Sequence, residues 1–291
     1  MTQIIDGKLA ARKIRHSLQD RIEKFQSQGA RAPHLAVILV GSDPASKVYV
    51  KHKERACLEI GMTSQTLSLE SSCSEAALIK LIEDLNRNPD VDGILLQLPL
   101  PKHLNKNKLI GRISAPKDVD GLGAKNQGLL ALNLPGLRPC TPSGILELIK
   151  TTSVPIPGKR VAVIGRSILV GSPISKMLTH ADATVWNIHS KTIQPEKICK
   201  EADIVIAAAG QAELVDEQWV KEGSIVIDVG IHRQQNGQLV GDVAFSRVQG
   251  IASHISPVPG GVGPMTIAFL LKNCMQAYEW RQTGDHPYLL F

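Results

Sequence analysis

A glycine turn that lies in the middle of the chain, rather than at its start, most constrains the fold of this sequence. The segment 161–171 (VAVIGRSILVG) has the pattern of a buried strand, a glycine turn and the start of a helix. In α/β proteins this pattern seats a pyrophosphate on a helix N-terminus. Because residues 1–160 precede it, we expect the nucleotide-binding half to come second and the first half to hold a substrate and much of the chemistry.

The first half alternates between strand and helix patterns. Continuous apolar runs indicate buried strands of a parallel sheet, and Asp43 followed by Pro44 is a typical helix start. The predicted strands are residues 35–40, 63–69 and 92–98, and the predicted helices are residues 5–27, 44–60 and 74–88. This rhythm indicates helices that cover a parallel sheet.

The second half repeats the pattern after a loop-rich stretch at 116–142. Thr141 followed by Pro142 predicts the start of a helix over 143–150, and a long amphipathic helix covers 264–281. The predicted strands are residues 160–164, 183–189, 203–209, 224–229 and about 250–255. The terminal helix begins where the second sheet ends, so it can return to the first domain.

We therefore predict an α/β protein with two α/β domains. Residues 1–140 form an N-terminal substrate domain with a parallel sheet, and the terminal helix in residues 265–291 packs back on it. Residues 141–264 form a C-terminal Rossmann-type domain. The chain length suits two such domains.

Composition favours a soluble cytoplasmic enzyme. No apolar run reaches the roughly 20 residues that span a bilayer, and the N-terminus lacks a signal-peptide core. The cysteines are scattered without a Cys-x-x-Cys motif, so neither a disulfide framework nor a metal site is indicated. All of the net charge of +6 lies in residues 1–150. An anionic small substrate fits this better than nucleic acid, since aromatic platforms are missing, but a solvated basic surface explains the charge equally well.

The residues after the glycine turn favour NADP over NAD. In NAD-binding units the second strand usually ends in a carboxylate that binds the ribose hydroxyls. Here it ends in residues 189–192 (HSKT), and Arg166 lies in the turn itself. Hydroxyls and cations would bind a 2′-phosphate that an acid would repel. The alternative is that Arg166 and Lys191 are ordinary surface charges.

Tyr49 and Lys53 lie four residues apart on one face of a predicted helix. A lysine in a partly desolvated cleft can act as a base near neutral pH. The spacing alone, however, favours an ordinary exposed pair. Gln97 ends a buried strand, where open α/β sheets bind ligands, although polar residues are common at such exits.

Two loops carry the remaining candidate site residues. Asp118 and Asp120 follow the first sheet, where exposed acids are routine. The segment 257–266 (PVPGGVGPMT) combines prolines that stiffen the backbone with glycines that permit close approach to a flat ligand, which favours a function.

Together these stretches closely resemble the bifunctional methylenetetrahydrofolate dehydrogenase/methenyltetrahydrofolate cyclohydrolase family, in family order and over nearly the whole chain. The matching motifs are VGSDPASxxYVxxK at 40–53, GILLQLPLP at 93–101, PKDVDG at 116–121, PCTP at 139–142, IGRS at 164–167, HSKT at 189–192, ADIV at 202–205, DVGI at 228–231 and PVPGGVGPMT at 257–266. The chain departs from the pattern at Leu122, where an aromatic residue is usual, and at Ile168-Leu169. Neither position carries the chemistry.

The resemblance implies roles for the folate-side residues. Lys53 would be the general base or proton-handling group, and Tyr49 and Gln97 would tune and position it. Asp120 would hold the amino-substituted edge of the pterin. The turn formed by Pro259, Gly260 and Gly261 would lie against the folate.

The resemblance also implies an NADP site and two reactions. NADP would accept a hydride from 5,10-methylenetetrahydrofolate, and water would then open the methenyl product to 10-formyltetrahydrofolate, a one-carbon donor for purine biosynthesis. The residues implied in NADP binding are Gly165, Arg166, Ser167 and Ser190 at the phosphates and ribose, with Thr141 and Ile231 lining the site.

Three alternatives stay open at this point: a family member that retains one activity, a shikimate-type NADP dehydrogenase, and a non-enzymatic nucleotide- or RNA-binding module. The four residues Tyr49, Lys53, Gln97 and Asp120 argue that both activities remain. The family resemblance further implies a homodimer that binds neither membrane nor nucleic acid.

Overall fold

The computed structural model describes residues 1–285 and 287–290, and the chain forms two compact units. One unit contains Met1–Arg12 and Thr141–Thr266 and is called the 141–266 unit below. The other contains Lys13–Cys140 and the chain from Ile267 onward and is called the 13–140 unit. Residues 1–12, which the sequence places with the first domain, thus belong to the unit that follows residue 140.

The strands are short and most are buried. They are β1 (Gln3–Ile4), β2 (His34–Val40), β3 (Thr63–Leu69), β4 (Gly93–Leu96), β5 (Arg160–Ile164), β6 (Thr184–Ile188), β7 (Ile204–Ala207), β8 (Ile225–Asp228), β9 (His232–Arg233), β10 (Leu239–Val240) and β11 (His254–Ile255).

Helices connect most of these strands. They are α1 (Gly7–Ser27), α2 (Pro44–Glu59), α3 (Glu75–Arg87), α4 (Lys106–Ile110), α5 (Ala124–Ala131), α6 (Cys140–Thr151), α7 (Gly171–Thr179), α8 (Pro195–Cys199), α9 (Phe245–Val248) and α10 (Val262–Thr283), with 3₁₀ turns at Ala115–Lys117 and Pro287–Leu290.

The 13–140 unit is built on a parallel sheet with the order β3-β2-β4. Residues of β2 and β4 are buried because helices cover the sheet, and α3 contributes Leu78 and Ile82 to the same core. Since the strands are parallel, their carboxyl ends lie at one edge, and the loops after β2 and β4 leave from that edge.

The terminal helix α10 is tied to the opposite, amino-terminal edge of this sheet by Asp92. The Asp92 side chain is fully buried and pairs with Arg31 Nη1 at 2.7 Å and with Arg281 Nη2 at 2.6 Å. It also accepts the backbone N–H of His34 at 2.8 Å, and Tyr278 donates its hydroxyl to the carbonyl of Arg31. The part of α10 after Thr266 is therefore an integral element of the 13–140 unit.

The 141–266 unit contains a parallel sheet with the order β1-β11-β8-β7-β5-β6. Strand β1 forms one outer edge. After residue 140 the chain re-enters the sheet at β5, moves to β6 on one side, and then builds β7, β8 and β11 on the other side. The strand order therefore reverses at β5 and β7, and open α/β sheets bind ligands beyond the carboxyl ends of the strands at such a point. A β9–β10 hairpin follows β8.

The predicted fold class, α/β with parallel sheets and a Rossmann-type second half, is confirmed. The observed bounds of some helices differ from the predicted ones. Helix α6 begins at Cys140, so Thr141 and Pro142 lie in its first turn, and α5 occupies part of the stretch read as a loop. No helix among the described residues is both long and apolar enough for a membrane span.

Candidate active site

Helix α2 carries Lys53 at the carboxyl edge of the sheet in the 13–140 unit. The helix starts as the sequence predicts, because the Asp43 carboxylate accepts the backbone N–H of Ser46 at 2.8 Å and Pro44 occupies the first turn. The same carboxylate accepts the Ser46 hydroxyl at 2.7 Å. The start of the helix, and with it the position of Lys53, is thereby fixed.

Lys53 meets Gln97, which follows β4 directly. The amine Nζ donates to Gln97 Oε1 at 2.8 Å, and Gln97 Nε2 donates to the carbonyl of Leu98 at 2.6 Å. The amide group of Gln97 is therefore held so that its oxygen faces the amine. These two residues lie 44 positions apart in the chain, and the structure brings them into contact.

The Lys53 amine lies in a partly buried environment that disfavours its charged form. Burial lowers the pKa of Lys53 below its ordinary value, while the nearby Asp120 carboxylate acts in the opposite direction. Burial likewise raises the pKa of Asp120, and the Lys53 charge opposes that shift. A lysine so placed can release and accept a proton closer to neutral pH than a solvated lysine can.

A buried thiol, Cys140, completes this cluster and was not singled out by sequence reasoning. Its Sγ donates to the carbonyl of Val119 at 3.2 Å, and it also stabilises the carboxylate of Asp120. Burial raises the pKa of Cys140 well above its ordinary range, so the thiol stays protonated. The motif PCTP at 139–142 was the available signal.

Asn273 of α10 holds the two segments that carry Asp120 and Cys140. Its Nδ2 donates to the carbonyl of Val119 at 2.8 Å and to that of Arg138 at 2.7 Å. Gly121 has a φ of +69°, and a Cβ there would lie 2.6 Å from the Arg138 carbonyl carbon, so only glycine fits. Sequence reasoning did not find Asn273, since nothing nearby marks it.

Two neighbours of the cluster differ in role. Tyr49 lies one helical turn before Lys53 and its side chain is 41% exposed, so it is available to a ligand. Asp118 is buried, and its Oδ2 accepts the N–H of Gly123 at 2.7 Å and Asn126 Nδ2 at 2.9 Å. Asp118 therefore holds the loop, while Asp120 is left for the site.

In the 141–266 unit, the glycine turn after β5 brings backbone segments into close contact. Gly165 has a φ of +116°, and a Cβ there would lie 2.1 Å from the carbonyl oxygen of Ala208. A Cβ on Gly171, the first residue of α7, would lie 2.1 Å from the carbonyl oxygen of Gly165. The turn is therefore compact and leads directly into a helix N-terminus, which favours a bound phosphate.

Arg166 and Ser190 follow the carboxyl ends of the paired strands β5 and β6. Ile164 pairs with Ile188 across these parallel strands, and each polar residue follows its partner by two positions. Arg166, Ser167, Ser190 and Lys191 are all exposed. The residues present fit a phosphate-bearing nucleotide, because cations and hydroxyls face solvent here and no acid ends β6.

The remaining predicted cofactor residues occupy separate places in the 141–266 unit. Thr141 is partly buried in the first turn of α6, and its hydroxyl bonds that of Thr266 at 2.9 Å. Ile231 follows β8 and is 47% exposed, which is unusual for a large apolar side chain at the edge of a buried sheet.

The proline- and glycine-rich turn before α10 packs tightly against the start of α1. The Gly261 N–H donates to the carbonyl of Pro257 at 2.9 Å, and Gly260 has a φ of +111°. A Cβ on Gly7 would lie 1.8 Å from the Gly261 carbonyl oxygen. Pro259 is exposed. The contact of this turn with folate stays a prediction.

Comparison with known proteins gives the same family over both halves. The catalytic-domain model of tetrahydrofolate dehydrogenase/cyclohydrolase matches residues 5–120, and the NAD(P)-binding-domain model matches residues 139–282. The bifunctional protein FolD of Ligilactobacillus salivarius is 46% identical over 282 residues, which cover 97% of this chain and 99% of the relative.

Solved structures are similar over the same extent. The FolD methylenetetrahydrofolate dehydrogenase/cyclohydrolase of Campylobacter jejuni is 44% identical with a TM-score of 0.95, covering 97% of this chain and all of that one. The Trypanosoma brucei methylenetetrahydrofolate dehydrogenase-cyclohydrolase, solved with NADP and an inhibitor, is 35% identical with a TM-score of 0.92, covering 97% and 98%.

Proposed function

The chain belongs to the tetrahydrofolate dehydrogenase/cyclohydrolase family, and from that premise we propose that it carries out both reactions with NADP. It oxidises 5,10-methylenetetrahydrofolate to 5,10-methenyltetrahydrofolate and hydrolyses that product to 10-formyltetrahydrofolate. The observation that carries the proposal is the Lys53–Gln97 pair beside Asp120 and Cys140. A shikimate-type dehydrogenase is not supported, since both matched models belong to the folate family.

The 13–140 unit binds the folate in this proposal. Asp120 accepts hydrogen bonds from the amino-substituted edge of the pterin, and Tyr49 lines the same place. Bound NADP supplies the hydride acceptor for the first reaction. The nitrogen lone pairs of the folate stabilise the resulting cation, so the protein chiefly has to hold the reactants in line.

Lys53 handles protons in the second reaction. Water adds to the methenyl carbon, and the neutral amine of Lys53 takes the proton that the attacking water loses. The carbon–nitrogen bond of the ring then breaks, and the proton returns to the departing nitrogen. Gln97 fixes the amine through its oxygen, and burial lowers the pKa of the amine, which favours its neutral form.

The direct test is optical. Methylenetetrahydrofolate and NADP are added to the purified protein, and absorbance at the methenyl-folate band is followed as it rises and then decays. A rise shows the dehydrogenase, and decay faster than in buffer shows the cyclohydrolase. Absence of both would contradict the proposed function, and a rise with decay at the buffer rate would leave one activity.

Replacing Asp120 by asparagine is expected to weaken folate binding by about 10-fold, since a charge-assisted hydrogen bond becomes a neutral one. The KM for methylenetetrahydrofolate should rise and the KM for NADP should stay constant in the dehydrogenase assay. An unchanged folate affinity would rule out the pterin contact.

The same variant has a second expected effect, on pH dependence. The Asp120 charge raises the pKa of Lys53, so its loss should lower that pKa further. Cyclohydrolase activity rises with pH as the amine loses its proton. In the variant, the increase in cyclohydrolase activity should therefore occur at a lower pH than in the wild type.

The 141–266 unit binds NADP, with Gly165, Arg166, Ser167 and Ser190 at its phosphates. We expect the wild type to have a lower KM for NADP than for NAD. Replacing Arg166 by alanine should raise the KM for NADP by about 10-fold or more and change that for NAD much less, since NAD lacks the 2′-phosphate. A wild-type preference for NAD would contradict this assignment.

The proposed setting is the cytoplasm, with the enzyme acting as a homodimer and supplying formyl groups to purine biosynthesis. The five cysteines are free thiols, and four of them are buried. Free thiols in this number are typical of a reducing compartment. Light scattering of the purified protein at micromolar concentration tests the dimer, since a monomer mass would contradict it.

A further inference from the structure

Two loops at the carboxyl edge of the parallel sheet in the 141–266 unit are locked together by buried carboxyl groups. Asp228 ends β8, and its Oδ1 accepts the N–H groups of Gly230 at 2.9 Å and Asp242 at 2.8 Å. Its Oδ2 accepts the N–H of Val243 at 3.0 Å. The chain leaving β8 is thereby fixed against the chain that follows the β9–β10 hairpin.

Asp242 connects this region to a second loop, the one that follows β7. This side chain is fully buried, and its Oδ2 accepts the N–H of Gly210 at 2.8 Å. Gly210 lies in the loop after β7, whose Ala208 carbonyl faces Gly165 so closely that no Cβ fits between them. Asp242 therefore fixes a loop that forms one wall of the glycine turn.

The other oxygen of Asp242 is bound by His232. His232 Nε2 lies 2.7 Å from Asp242 Oδ1, and since a carboxyl oxygen accepts, the imidazole N–H donates. Gly230 passes so near that a Cβ there would lie 2.2 Å from the same oxygen. Among the described contacts, His232 supplies the hydrogen bond to this buried oxygen. Removing the imidazole would therefore cost this oxygen its hydrogen-bond partner.

Ile231 stands between Gly230 and His232, and its apolar side chain is exposed at this edge. Its neighbours on both sides are held by buried carboxyl groups, Gly230 by Asp228 and His232 by Asp242. The direction in which Ile231 projects is therefore set by contacts that do not involve Ile231 itself. The strand order reverses between β5 and β7, and open α/β sheets bind ligands at such a point. The Gly210 loop that Asp242 fixes leaves from β7 and therefore borders it.

We propose that His232 is a positioning residue for the dinucleotide: through Asp242 it holds the Gly210 loop and Ile231 in the arrangement that receives the nicotinamide half of NADP. The inference rests on the proposed function, since it assumes that NADP binds in this unit. Removing the imidazole donor leaves loops that NADP must order on binding, and this ordering lowers its affinity.

The test compares His232→Leu, which removes the donor at similar volume, with His232→Gln, whose amide nitrogen restores a donor near the same place. The KM for NADP should rise roughly 10-fold in the leucine variant and return most of the way in the glutamine variant. The KM for methylenetetrahydrofolate should stay constant. Cyclohydrolase activity on methenyltetrahydrofolate, measured without NADP, should also be unchanged.

The matched control is His254→Leu, since His254 begins β11 at the opposite edge of the same sheet and is also partly buried. Its KM for NADP should equal that of the wild type. A wild-type KM in His232→Leu would overturn the proposal. Equal loss of both activities would overturn it as well, because His232 would then be a folding contact. Failure of the proposed function would instead appear in the wild type, as absence of both activities.

Discussion

Replacing Lys53 by methionine is expected to lower cyclohydrolase activity by about 10²–10⁴-fold. Methionine keeps an unbranched chain in the partly buried position but has no amine, so Gln97 Oε1 loses its donor and attacking water loses its proton acceptor. Dehydrogenase activity should fall less, because hydride transfer depends mainly on alignment. The two rates are measured separately, from methenyltetrahydrofolate decay without NADP and from its formation with NADP.

Lys51→Met is the matched control, since Lys51 lies on the same helix with its side chain exposed. Both activities of this variant should equal those of the wild type. If Lys53→Met also kept both activities, the role assigned to Lys53 would be wrong. If it lost both equally, Lys53 would serve to bind folate rather than to move protons.

Replacing Asp92 by alanine is expected to lower the free energy of unfolding of the 13–140 unit by about 3 kcal/mol. The change leaves two guanidinium groups and the His34 N–H without their shared acceptor. Arg31 and Arg281 keep about a third of their side-chain area exposed, so water compensates part of the loss. This places the effect at the lower end of that for broken buried ion pairs.

Asp90→Ala provides the control, because Asp90 is 81% exposed and approaches the same Arg31 only at 3.9 Å. Its effect should stay below about 0.5 kcal/mol. Urea unfolding is followed by Trp280 fluorescence in a Trp186→Phe, Trp219→Phe background, since those two tryptophans pack in the other unit. Equal destabilisation by the two alanine substitutions would contradict the role given to Asp92.

Elements whose signals are local could be predicted from the sequence. Helix α2 runs from Pro44 to Glu59, close to the predicted 44–60, because Asp43 caps it and Gly61 with a φ of +79° follows its end. Strand β5 matches its predicted bounds because a run of buried aliphatic residues can form little else between glycine-containing turns.

Elements that depend on distant partners could not be predicted. Strand β1 has two residues and exists because Gln3 and Ile4 pair with His254 and Ile255, some 250 positions away. Helix α5 lies in a stretch rich in glycine and proline, and the loop before it is held by Asp118, whose bonds reach Gly123 and Asn126. Neither arrangement leaves a periodic pattern in the sequence.

The candidate active site shows the same division. Gln97 could be predicted because a polar residue at the end of a buried strand lies where parallel sheets bind ligands. Asp120 could be distinguished from Asp118 only through the family resemblance, since both lie in one loop. Cys140 and Asn273 were missed, because their importance depends on contacts with Val119 and Arg138 that only the fold creates.

The position of Asn273 also bears on how the protein is made. A ribosome releases residues 13–140 long before residue 273. The carbonyl groups of Val119 and Arg138 therefore lack their hydrogen-bond donor, Asn273, until α10 has emerged. Domains generally fold as units during synthesis, but this unit becomes complete only when its final segment arrives. We therefore expect the amine of Lys53 and the carboxylate of Asp120 to reach their working arrangement only after residue 273 has emerged, and a nascent chain stalled before that residue should lack it.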